Sequence, residues 1–227
     1  AGADSARALT VLTFAASGWE TDAATAERPY GMGFLSSLYA SSKVDIMSRG
    51  QRLVFDTAGI LADEGFALEP APKHPGGTRI VLHGVELPDA QQTMYRIARG
   101  YSIPIAFNGT DLPRPDSTEH GEFVPTEVGL VRIASTYSPR TTVVYLQGFR
   151  VYEPDRHWGL LDNAVHLDPG KFRGASPDRD RCIDERDMLS AVEATVKLLY
   201  TERLLEDKAR LPPAKFCRKA YDLARSL

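Results

Sequence analysis

The sequence predicts an α+β fold, and three observations carry that prediction. Two alternating segments, residues 43–48 and 52–56, flank Arg49-Gly50-Gln51 as the arms of a strand hairpin do. Residues 103–107 run into Asn108-Gly109, the strongest short hairpin signal in the chain, and further alternating runs follow. Met188, Ala191, Val192, Thr195, Val196 and Leu199 recur at helical spacing and mark one long amphipathic helix.

Taken in order, Asp4 is placed to cap a helix reaching Ala16, and residues 17–28 read as a polar loop. A short helix over 34–41 precedes the hairpin. Residues 57–77, with Pro70, Pro72 and Pro75, are expected to be irregular. A strand over 78–83 puts Ile80 and Leu82 on one face and Arg79 and Val81 on the other. Asp89 opens a helix ending at Gly100, with Met94, Ile97 and Ala98 inward. Strands are predicted at 127–134, 141–147 and 149–152, with a weak one at 164–167 and a turn at Ser138-Pro139-Arg140. Asp162-Asn163 and Asp155-Arg156-His157-Trp158 read as hydrophilic turns. Asp184 opens the long helix, with Asp187 as a capping-box variant, and Pro212-Pro213 stops it before a short terminal helix.

A change of pattern near residues 84–88 divides the chain, giving 1–86, 87–200 and a helical tail, 201–227. The 227 residues are 43% hydrophobic and 25% charged, ordinary values for globular domains. No run approaches the ~20 apolar residues of a membrane span. Two distant cysteines, Cys182 and Cys217, give no disulfide framework, so a cytoplasmic location is expected. Five scattered histidines lack ligand spacing, and no metal site is expected among them. The net charge of −3 lacks the basic excess of a nonspecific nucleic-acid binder. Residues 201–227 differ, with seven Lys/Arg against four Asp/Glu. A solvated helix face or a partner surface both fit that excess.

The chemically informative stretch is Arg28-Pro29-Tyr30-Gly31-Met32-Gly33-Phe34-Leu35. Glycines let a backbone approach an oligophosphate closely, and the first turn of the helix that follows offers N–H donors and partial positive charge. The same glycines suit a tight turn into a helix. No GK[ST] follows, so this is not a Walker A element, and Ser36 and Ser37 lack a nucleophile-elbow motif.

Pro-x-Gly-x-Gly-Phe, a small-residue helix, the strand pair KVDIMSRG and RLVFD, and then Gly76-Gly77-Thr78-Arg79-Ile80-Val81-Leu82 together resemble the ATP-binding domain of the GHKL superfamily. That group holds the gyrase B subunit, the large heat-shock chaperone, histidine kinases and MutL mismatch-repair proteins. The resemblance implies a partial Bergerat-type α/β sandwich, with residues 17–28 as the ATP lid. It implies phosphate contacts from Gly31, Met32, Gly33 and Phe34, and an adenine-side hydroxyl from Thr78. Thr78 equally suits a β-branched strand opener. Gly2 would be the last glycine of the D-x-G-x-G box. The helix with the general-base glutamate and Mg²⁺-binding asparagine would then lie upstream, leaving no catalytic residue in this chain and a parent protein that hydrolyses ATP.

Residues from Pro88 onward resemble, more loosely, the transducer domain that follows in MutL, gyrase B and the chaperone. The resemblance implies a βαβ unit whose basic residue reaches the γ-phosphate. Ser176-Pro177-Asp178-Arg179-Asp180-Arg181 offers Arg179 and Arg181 for that role, because a guanidinium stays charged and binds phosphate oxygens bidentately. Lys171 to Asp187 carries five cations and five anions, so an internally paired turn is the other reading. The expected ligands are ATP and Mg²⁺, with a homodimer, and a client protein or DNA, as partners. The competing reading is a non-enzymatic module whose C-terminal helices bind protein or nucleic acid.

Overall fold

The computed structural model describes residues 33–48, 50–62, 64, 66–71, 77–134, 141–154, 161–175 and 180–226. The chain is α+β and divides into two units, the first ending at Pro88 and the second beginning at Asp89. The expected helix over 4–16, the lid loop and the turn at 138–140 lie outside the described residues.

Unit 1 runs α1 (Gly33–Ala40), β1 (Lys43–Ser48), β2 (Gln51–Asp56), α2 (Thr57–Leu61), β3 (Ala67–Pro70) and β4 (Thr78–His83). Its strands form one antiparallel sheet in the order β3-β2-β1-β4. Register aligns Val44 with Phe55 and Leu82, and Ile46 with Leu53 and Ile80, so one face is apolar. Phe34 and Leu38 of α1 pack into that cluster and close its core. Only Ser41 and Ser42 separate α1 from β1, so the chain reverses there. The reversal is pinned by Thr57, whose hydroxyl donates to the Ser41 carbonyl at 2.6 Å, and by the Ser42 N–H, which donates to His83 O at 2.9 Å. On the opposite face Arg52 donates two hydrogen bonds to Asp45, at 3.0 and 2.6 Å, and holds that carboxyl below its ordinary pKa.

Residues 57–61 and 67–70 are more regular than the sequence suggests. Leu68 of β3 pairs with Leu53 and extends the apolar face. Four residues are too few for alternation to be read against the prolines around them.

Unit 2 contains α3 (Ala90–Ala98), β5 (Ala106–Phe107), β6 (Thr110–Asp111), β7 (Val124–Thr126), β8 (Gly129–Arg132) and β9 (Thr141–Leu146). It continues through β10 (Phe149–Tyr152), β11 (Leu161–Leu167), α4 (Glu185–Arg210) and α5 (Pro213–Ser226). Asn108 and Gly109, at φ 51° and 78°, turn β5 into β6 as the sequence predicts. Gln147 and Gly148, at φ 53° and 82°, make the same kind of turn between β9 and β10. The main sheet has the order β10-β9-β11-β8-β7, with β11 parallel to β9 and antiparallel to β8.

The expected βαβ unit is corrected by this order. The parallel pair β9 and β11 is connected through β10, and α4 follows the last strand instead of bridging two. Helix α4 covers one sheet face, burying Met188, Val192, Val196 and Tyr200 against Val131, Val144, Val165 and Leu167. It passes residue 201 without a break and ends at Arg210. The expected capping box does not form, because the Asp184 side chain makes no cap hydrogen bond. Asn163 is no surface turn. It is buried in β11, accepting from the Ala134 N–H and the Tyr200 hydroxyl, both at 2.8 Å.

Candidate functional site

Of the residues singled out by sequence, Gly2, Gly31, Met32 and Arg179 lie outside the described residues. Gly33 is the first residue of α1, and no acidic side chain stands in that helix's first turn. Phe34 is half-buried in the unit 1 core. Thr78 opens β4, is exposed, and shares a 2.9 Å hydrogen bond with the Ser48 hydroxyl. Arg181 belongs to unit 2, where it is largely exposed and 3.9 Å from Asp180.

Unit 2 holds a buried polar cluster that sequence reasoning missed. Asp116, 2% exposed, is its hub. Its Oδ2 accepts from Arg99 Nε at 3.1 Å, Arg99 Nη2 at 2.8 Å and the Tyr145 hydroxyl at 2.8 Å. Its Oδ1 accepts from Arg132 Nη2 at 2.6 Å. The Asp116 carbonyl accepts from His166 Nε2 at 2.6 Å, so Nε2 carries the proton of a neutral ring. Tyr145 stacks on His166 with centroids 5.0 Å apart, and Phe123 meets the same ring edge-on. Register sets Tyr145, His166 and Arg132 on the sheet face opposite α4.

Burial raises the Tyr145 pKa, and the neighbouring Asp116 charge adds to it, so the phenol stays protonated. Burial lowers the His166 pKa against the pull of Asp116. The unfolded chain, with an ordinary histidine near ~6.5, binds that proton more readily. Stability of unit 2 is therefore expected to fall as pH drops below about 6.5. Urea titrations at stepped pH check this, and His166→Gln should flatten the slope between neutral and mildly acid pH.

These groups satisfy one another, so the cluster braces the sheet and does not present reactive atoms. Elsewhere in unit 2 a cleft of about 800 Å³ is bordered by α3, β10 and the start of α4. Arg150, paired across the strands with Tyr145, enters this cleft and forms an ion pair with Glu153. In the C-terminal helices, buried Asp207 accepts from Arg210 at 2.9 Å and Lys219 at 2.8 Å, so part of the basic excess is internally neutralised. Among the described residues, no group of three or more His, Cys, Asp or Glu side chains could hold a metal, and no helix is long and apolar enough to cross a membrane.

No family model matches the chain, and no curated protein matches it either.

Proposed function

We propose that this chain is part of a nucleotide-responsive switch of the GHKL type, with unit 1 holding ATP phosphates and unit 2 acting as a transducer. One observation carries the reading: α1 opens at Gly33, the last glycine of Pro-x-Gly-x-Gly-Phe, and lies on an antiparallel sheet whose β4 opens at Thr78. That arrangement fits the partial Bergerat-type sandwich the sequence resembles.

The residues present suit an anionic ligand at that helix. Gly33 brings no Cβ, and the first turn has no carboxylate to repel phosphate. The exposed Thr78 hydroxyl is the adenine-side group of this reading. Bound ATP supplies the terminal phosphate that the switch senses. Arg181, or Arg179, is the cation that reads it. The reading assigns no catalytic residue and no Mg²⁺ ligand among residues 1–227. The switch moves only by the differential affinity of the nucleotide for its two states.

Hydrogen exchange in millimolar Mg²⁺ and a non-hydrolysable ATP analogue tests this. Amides of residues 33–37 are expected to exchange several-fold more slowly with nucleotide, and Gly33→Val is expected to abolish the difference. Equal protection in wild type and variant sinks the phosphate-cradle assignment. Absence of any protection in the wild-type chain sinks the nucleotide reading itself.

A further inference from the structure

Strand β10 is an edge of the five-stranded sheet, and the unit 2 cleft runs beside it. Successive side chains of a strand point to opposite faces, so a cavity over one face touches every second residue. This cleft borders all of Phe149, Arg150, Val151 and Tyr152, as a channel along the backbone does. Phe149 pairs with Leu146 across a two-residue turn, which makes theirs the hydrogen-bonded pair. The next pair, Arg150 with Tyr145, is then the non-bonded kind, and the Arg150 N–H and C=O point away from β9 into the cleft. A register shift between Arg150 and Tyr152 keeps this free ladder short.

The two walls differ in charge. On the α3 side, the Arg96 side chain makes no hydrogen bond or ion pair among the described residues and stands near Arg150, whose ion-pair partner Glu153 also lines the cleft. Burial lowers the Arg150 pKa, and Arg96 and Arg99 lower it further, so cations crowd that side. On the α4 side stand Asp180 and Glu185, with Arg181 beside Asp180.

We propose that the β10 cleft docks an extended peptide that adds to the sheet edge, with acidic side chains facing Arg96, beside the Arg150–Glu153 pair, and neutral or basic ones facing Asp180 and Glu185. Backbone pairing supplies affinity and the walls supply selectivity. A second copy of this chain fits poorly, because antiparallel pairing about Arg150 would bring two Arg150 and two Arg96 groups together. The inference goes beyond the nucleotide reading and does not depend on it.

Fluorescence anisotropy on the whole chain, without nucleotide, tests the proposal. The probe is a labelled, end-blocked peptide of about eight residues alternating glutamate and threonine. It is expected to bind, and a lysine–threonine counterpart to bind at least about tenfold more weakly. A backbone N-methylated glutamate–threonine peptide keeps the charge and loses the donors, so it should not bind. Arg96→Glu, at an exposed position outside the braced cluster, should weaken binding about tenfold or more, and Arg150→Glu provides a second variant. Equal binding of the N-methylated peptide would reduce the site to an anion patch and overturn strand addition. Failure of any peptide to bind would overturn the proposal, as would indifference to both arginine variants. A dimer in sedimentation that Arg150→Glu disperses would make a second copy the occupant.

Discussion

Asp116→Ala is expected to destabilise unit 2 by about 3–5 kcal/mol, the range found when one partner of a buried ion pair is removed. Two guanidinium groups and the Tyr145 hydroxyl would lose their shared acceptor in a site where Asp116 is 2% exposed. Arg99 and Arg132 would remain with no carboxylate between them. Hydrogen exchange at β9 and β11 amides is the measurement, since it reports unit 2 without assuming that both units unfold together. Tyr145→Phe removes a single donor and should cost about 1 kcal/mol. If Asp116→Ala costs no more than Tyr145→Phe, the cluster does not brace the sheet.

Gly129→Ala should cost about 3 kcal/mol or more, combining backbone strain with overpacking. Gly129 sits at φ +134°, where an added Cβ would lie 2.1 Å from the His166 carbonyl oxygen and 2.7 Å from the Asp168 nitrogen. Both atoms are backbone, so relief requires β8 to separate from β11 at the Gly129–Leu167 pair. Gly109 is the matched control, since its φ is +78° but nothing lies within 4 Å of its Cβ position. Gly109→Ala should therefore cost only the left-handed backbone term, about 1–2 kcal/mol. Urea unfolding of the two variants side by side separates steric clash from backbone strain. Equal losses would mean that β8 relaxes freely.

The elements legible in the sequence were those encoded within a few residues. Asn108-Gly109 specifies its turn because both positions need positive φ, and the apolar stripe from Met188 to Leu199 specifies α4. Strand β11 was faint because Asn163 and His166 put polar groups at interior positions, where only distant partners make them acceptable. The Asp116 cluster draws on residues 99, 116, 132, 145 and 166, one from each of five segments. No local spacing encodes such an assembly. For the glycine motif the sequence places the helix at 34–41, just after Gly33, and α1 begins one residue earlier, at Gly33 itself. The chemistry it suggests rests on the exchange experiment.

The place of β11 between β9 and β8 has a consequence for synthesis on the ribosome. The β7–β8 and β9–β10 hairpins are local and can close as soon as they emerge, but the strand that joins them is made last. Until residue 167 is out, each hairpin offers an open inner edge with Val131 or Val144 uncovered. A nascent chain paused in that interval is prone to pair with a neighbouring chain instead of with itself. Translation speed over codons 133–167 should therefore govern how much of the protein reaches the folded state.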